Sequence, residues 1–153
     1  MIDCVVVGGG PAGIAASVAL AGRGVAHVVF EAGRAGQTWR TQRWGSFRLN
    51  TPGWTTRLLG ELPRDAYLSG GEVIGRLARL AATAPIREGV RVTGLAPAGA
   101  GYVLRTPDEE IRARTVVVAT GTRTFRGYRA GQDALGAGHA AALGGLPHPQ
   151  RAA

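Results

Sequence analysis

A chain of 153 residues is long enough for one compact domain and too short for two ordinary ones, so any two-domain enzyme would be incomplete within it. Hydrophobic residues make up 45% without an apolar run near the ~20 residues that span a bilayer, and one Cys excludes an internal disulfide or zinc cluster. The expectation is therefore a soluble, cytoplasmic protein without metal or membrane partner. The net charge of +8 comes from 18 Arg and no Lys, and Ala with Gly supplies a third of the residues. Basicity of this kind reflects compositional bias, and a nucleic-acid partner would require clustering.

In chain order, Asp3 to Gly8 predicts a buried parallel strand, because Cys4-Val5-Val6-Val7 is a continuous apolar run ending in glycine. A helix should follow from Pro11, with Ile14, Ala15, Val18, Ala19 and Gly22 as its apolar stripe and glycine stop. His27 to Glu31 reads as the second strand of a β-α-β unit with a right-handed crossover.

Residues 32–63 lack periodicity but hold Trp39, Trp44 and Trp54, which argues for a functional ordered loop. Ser69 to Thr83 predicts a second helix: Ser69 and Glu72 have capping-box spacing, Val73, Leu77, Leu80 and Ala81 line one face, and Pro85 ends it. Val90 to Leu95, Tyr102 to Thr106 and Ile111 to Ala119 read as strands, the last again a buried parallel type. Beyond Thr122 no packed element is expected, giving residues 1–122 as the domain and 123–153 as an irregular tail.

Gly8-Gly9-Gly10-Pro11-Ala12-Gly13 has the G-x-G-x-x-G pattern, following a predicted strand and opening a predicted helix. Gly8 would permit the tight turn, Gly10 the approach of a pyrophosphate, and Gly13 close packing of helix on strand. The helix N-terminus offers free N–H groups and partial positive charge to the phosphates. Glu31, 18 residues beyond Gly13, stands where a carboxylate can accept bonds from ribose hydroxyls. Together these point to dinucleotide binding, with a glycine-rich turn in a biased chain as the bland alternative.

Three segments carry a family resemblance: Val5 to Gly13, Gly36-Gln37-Thr38-Trp39-Arg40 continuing to Arg48-Leu49-Asn50-Thr51-Pro52, and Val116-Val117-Val118-Ala119-Thr120-Gly121. In this order they resemble the flavin-containing monooxygenase-like flavoproteins, relatives of the Baeyer–Villiger monooxygenases. The resemblance implies an α/β, Rossmann-like FAD-binding domain, a parallel sheet with flanking helices plus a small antiparallel β-meander, here incomplete. It implies FAD on this domain and NADPH in the full-length family, with NADPH reducing the flavin and O2 then used to oxygenate a soft nucleophile or ketone.

By position, Gly8, Gly10 and Gly13 would hold the pyrophosphate and Glu31 the adenosine ribose, with Gly9, Pro11, Ala12 and Ala32 as further cofactor-binding residues. Thr38 and Trp39 would meet the flavin side, and the backbone of Val92 the adenine. Ala119, Thr120 and Gly121 would close over the cofactor. Asn50 would lie nearest the reacting edge of the flavin; its alternative is a simple turn residue before Thr51-Pro52. For the three Trp, packing under the loop competes equally with cofactor contact. Cys4 is expected in the core. Arg40, Arg43 and Arg48, interleaved with aromatics, could grip phosphates or RNA, but a flavin loop explains them better.

A complete relative would continue into a second fingerprint for NADPH. Gly136-Ala137-Gly138-His139-Ala140-Ala141 has the spacing of one but no preceding strand pattern. One set of codons for residues 142–152, read from the second base, gives His-Ser-Ala-Asp-Tyr-Arg-Thr-Pro-Ser-Ala, similar to the family's next segment, so a frame slip near residues 122–130 is expected. The function expected is the N-terminal FAD-binding portion of a flavin-dependent, NAD(P)H-using oxidoreductase of monooxygenase type, inactive by itself, with an unidentified small-molecule substrate. Its rivals are a non-catalytic nucleotide-binding remnant and, more weakly, an Arg-rich nucleic-acid module. Missing cover on the sheet would leave apolar surface and favour self-association.

Overall fold

The valines of the first strand are buried on both faces because β1 (Ile2–Val7) runs through the middle of a sheet, with Val5 and Val6 fully inaccessible. In the computed structural model, which describes residues 1–55 and 57–121, six strands stand in the order β3-β2-β1-β6-β5-β4. β2 (His27–Glu31) and β6 (Glu110–Val118) flank β1 in parallel, and β3 (Ile86–Glu88) extends the parallel half beyond β2. β4 (Gly94–Ala98) and β5 (Gly101–Arg105) form a hairpin whose second strand pairs antiparallel with β6. The expected α/β fold, a parallel sheet with an antiparallel meander, is present. β6 joins the halves, pairing with β5 through Glu110 to Ala113 and with β1 through Ala113 to Val118.

The face of the sheet that carries Cys4, Val6 and Val29 is covered by helix. α1 (Pro11–Ala21) packs Ala16 and Leu20 against that cluster while Ile14 joins a second core with Val73, Leu77 and Ala81 of α3 (Gly70–Ala82). Pinned between sheet and α3, α1 has no single apolar stripe. Gly13, Ile14 and Ser17 are its buried residues, whereas Val18 and Ala19, expected inside, are exposed. Ser17 is tolerated because its hydroxyl meets His27 Nε2 at 2.8 Å while His27 Nδ1 meets the Val25 carbonyl at 2.9 Å. A carbonyl only accepts, so Nδ1 carries the proton there and, in the neutral ring, Nε2 accepts from Ser17.

α3 starts where the sequence places it. Glu72 N–H donates to Ser69 Oγ and Ser69 N–H to Glu72 Oε2, the reciprocal capping box. The expected strand over Val90 to Leu95 is displaced to Gly94–Ala98. Val90 and Val92 instead turn their side chains into the core on the opposite face, with Val5, Val7, Phe30 and Leu104, while Val90 N–H reaches the Glu31 carbonyl. Burial rather than a ladder explains their apolar spacing. β4 carries Pro97, tolerated because β4 is an edge strand. Two elements were not expected: β3, and α2 (Gln37–Thr41) inside the long loop, which also holds the 3-10 turns Gly53–Thr55 and Arg57–Leu59. The expectations for residues 123–153, the 136–141 glycine pattern and the frame slip among them, lie outside the described residues.

Candidate functional site

The C-terminal ends of β1, β2, β3 and β6 open on the same side, and between β1 and β6 the strand order changes direction. In open α/β sheets a crevice forms outside such a switch point. Gly8 leaves β1 with φ +111°, a conformation closed to most side chains, and its N–H donates to the Phe30 carbonyl at 2.8 Å. A methyl at Gly8 would strike the Ala119 carbonyl, and one at Gly13 the Gly8 carbonyl. At Gly9 it would come within 2.9 Å of Glu31 and Ile86. The loop is thus compressed against its own scaffold at three positions.

Gly10 differs. It is the N-cap of α1, with φ −80° and ψ −175°, a shape any residue adopts before proline, and a Cβ there would meet nothing within 4 Å. No side chain caps this end, and the first helical bond runs from Ile14 N–H to the Gly10 carbonyl. Beside it, Glu31 Oε2 accepts from Gly9 N–H at 2.6 Å and Oε1 from Gly33 N–H at 2.8 Å. An ionised carboxylate has about four acceptor positions, so two remain for a ligand hydroxyl.

The other expected residues fall into three groups. Ala119 donates its N–H to the Val7 carbonyl at 2.8 Å, which puts it with Thr120 and Gly121 at the same end of the sheet as the glycine loop. Ala12, Ala32 and Thr38 are exposed, whereas Pro11 and Trp39 line an apolar cleft of about 90 Å³ with Leu49, Leu58, Leu59 and Val73. Asn50 is exposed next to Leu49 of that cleft, and Val92 is half-buried with its side chain in the core.

Trp39 also packs on the α3 core and meets Phe47 edge-on at 5.5 Å, with the Arg43 guanidinium over its ring at 4.8 Å. Trp44 meets Phe47 but, like Trp54, remains mostly exposed. Packing therefore accounts for part of Trp39 and little of the other two. Cys4 is buried, and desolvation pushes its thiol pKa up, as expected of a core residue.

Sequence reasoning missed the brace behind the site. Gly36 N–H donates to the Gly9 carbonyl at 2.9 Å, Ala35 N–H to Glu88 Oε1 at 2.7 Å, and Arg40 Nε to the Ala35 carbonyl at 3.1 Å. The available signal was the pair Glu31 and Glu88, which sit opposite one another in the register of β2 and β3. Among the described residues no group of His, Cys, Asp and Glu could hold a metal ion, and no helix is long and apolar enough to cross a membrane.

The model of the pyridine nucleotide-disulphide oxidoreductase family matches residues 5–127, most of the chain. The chain belongs to this family. Among solved structures, the flavin-containing monooxygenase from Stenotrophomonas maltophilia is similar at 29% identity and a TM-score of 0.69 over 79% of this chain and 38% of that one. An oxidised steroid monooxygenase bound to NADP is similar at 27% identity and a TM-score of 0.63, over 78% of this chain and 26% of that one. The bacillithiol disulfide reductase from Bacillus cereus, at 17% identity and a TM-score of 0.71 over 84% of this chain and 44% of that one, shares the fold. This member of the family therefore spans well under half the length of each of these relatives. A comparison with curated proteins finds no match.

Proposed function

We propose that residues 1–121 bind FAD as the FAD-binding portion of a flavin-dependent, NAD(P)H-using oxidoreductase of monooxygenase type, working in the cytoplasm. The observation that carries this reading is the open N-cap at Gly10. The chain's own packing explains glycine at positions 8, 9 and 13 but gives no reason for it at position 10. A pyrophosphate lying against the backbone would supply one. The start of α1 would then contribute N–H donors and partial positive charge to the phosphates.

In this reading Gly8, Gly9, Gly10, Pro11, Ala12 and Gly13 hold the diphosphate, and Glu31 with Ala32 holds the adenosine ribose. Gly9 and Gly33 already fix the Glu31 carboxylate, so it binds the sugar without first being ordered. The backbone near Val92 meets the adenine, and Ala119, Thr120 and Gly121 border the diphosphate. Pro11 and Trp39 offer the flavin an apolar wall, with Thr38 beside it. Asn50 supplies an amide toward the reacting edge. FAD itself supplies the acceptance of hydride and, in monooxygenases, the activation of O2. NADPH and the small-molecule substrate belong to the activity of the whole flavoprotein.

Titration of the purified chain with FAD, followed by flavin fluorescence and calorimetry, tests the proposal. Saturable binding with one FAD per chain is expected. A colourless protein that leaves flavin fluorescence unchanged would end it.

A further inference from the structure

The chain leaves β2 at Glu31 and turns toward α2 over residues 32–36, and Glu88 with the two residues after it holds this turn at alternate positions. Val90 N–H donates to the Glu31 carbonyl at 3.0 Å and Gly89 N–H to the Gly33 carbonyl at 2.9 Å. The third bond is of another kind, from Ala35 N–H to Oε1 of Glu88 at 2.7 Å. The first two come from backbone, whereas the third depends on which side chain stands at position 88.

Ala35 is buried with Ile14 and Leu77, out of reach of water, so without the carboxylate its N–H would be unmatched and the turn would have to shift. The next amide belongs to the glycine loop's support. Gly36 N–H donates to the Gly9 carbonyl at 2.9 Å, and Gly9 N–H donates to Glu31 Oε2 at 2.6 Å. Among the described residues no peptide bond is cis, and in a planar trans peptide the C=O and N–H point opposite ways. Holding the Gly9 carbonyl on Gly36 therefore aims Gly10 N–H away from Gly36, at the uncapped start of α1, where among the described residues it has no partner.

We infer that Glu88 is a positioning residue of the cofactor site: its carboxylate fixes residues 33–36, and through Gly36 it sets the Gly9–Gly10 peptide and the Glu31 carboxylate toward the ADP half of FAD. The inference rests on the FAD reading above. Charge separates it from a simpler effect. Glu88 stands opposite Glu31 in the register of β2 and β3, on a strand about 4.8 Å away. By charge alone, removing this carboxylate would tighten the binding of an anionic cofactor. Positioning predicts the opposite sign.

Titrations of the wild type and three variants with FAD and with ADP, at a temperature where all are folded, test this. Glu88→Asp keeps the charge but falls one methylene short of Ala35. Glu88→Gln gives up the charge but keeps an acceptor oxygen for Ala35, and its NH2 has room in the open hollow that Glu88 borders with Ala78 and Ala82. Glu88→Ala gives up both. Glu88→Ala and Glu88→Asp should weaken both ligands about tenfold or more, the worth of one hydrogen bond to a charged group. Glu88→Gln should match the wild type, a rescue that loss of stability alone would not produce. Without ligand, hydrogen exchange at the Gly36 and Gly9 amides should quicken in Glu88→Ala and Glu88→Asp but not in Glu88→Gln.

Wild-type affinity in Glu88→Ala overturns the inference, as it does in Glu88→Asp should Glu88→Ala fail to fold. Equal loss in Glu88→Gln, or tighter binding there, overturns it too, as do Gly36 and Gly9 amides that exchange at the wild-type rate in every variant. A wild type that binds no FAD ends the FAD reading and this inference together. A wild type that binds, beside a Glu88→Ala that binds equally, ends this inference alone.

Discussion

Gly10 and Gly13 lie on one turn of chain and answer to different demands. Gly13 faces the Gly8 carbonyl, and an added methyl has backbone for a neighbour, which cannot swing aside. Gly13→Ala should cost about 1–3 kcal/mol of stability, the range for overpacking, and lower Tm with or without ligand. Gly10→Ala meets open space. It should cost the fold under about 1 kcal/mol, the difference between good and poor N-caps, while weakening FAD tenfold or more. Thermal melts and FAD titrations on both variants check the pair; equal loss of stability in the two would remove the case for a ligand at Gly10. Glu31→Gln is a third probe. The amide keeps one acceptor and turns an NH2 toward either the Gly9 or the Gly33 N–H, leaving a donor unmatched. Such a loss costs about 1–3 kcal/mol when buried, toward the lower end at this half-buried site, and denaturant midpoints would register it.

Among the elements, those legible from sequence carry their own local signal. The capping box at Ser69 and Glu72 is written in two residues, and the structure closes it. Ser69→Ala should cost about 1 kcal/mol of stability. It should also change the acid limb. The Ser69 side-chain and backbone hydrogen bonds hold the Glu72 carboxyl below the ordinary 4.5. A carboxylate with a lowered folded-state pKa contributes stability above its unfolded pKa and loses it as pH falls through the folded value. Ser69→Ala should therefore flatten the fall of Tm below about pH 4.5, and melts across the acid range would show it. α2, β3 and the shift of β4 were illegible for the opposite reason. α2 has five residues and β3 three, too few for a period, and both are fixed by contacts from afar, such as Ala35 to Glu88. The stripe expected on α1 failed because that helix is covered from two sides, by the sheet and by α3.

At the scale of the whole molecule, the candidate site is an assembly of strand ends: β1 gives the glycine loop, β2 Glu31, and β6 Ala119 to Gly121. The sequence shows each piece; their meeting follows from the parallel order and the right-handed crossover. In the proposed reading every anchor serves the ADP half of the cofactor, since the diphosphate would meet the start of α1 and the ribose would meet Glu31. ADP should therefore displace FAD, whereas FMN, with neither adenosine nor diphosphate, should not at the same concentration. Ligand at 100 times its Kd adds about 2.7 kcal/mol to the folded state. For a domain of this size that raises Tm by roughly 10 °C, so FAD and ADP at matched saturation should give similar shifts and FMN little. Differential scanning with the three ligands reads this directly. If FMN matched FAD and ADP did nothing, the binding energy would reside on the flavin side, at the apolar cleft lined by Pro11 and Trp39, and the glycine loop would be a structural turn.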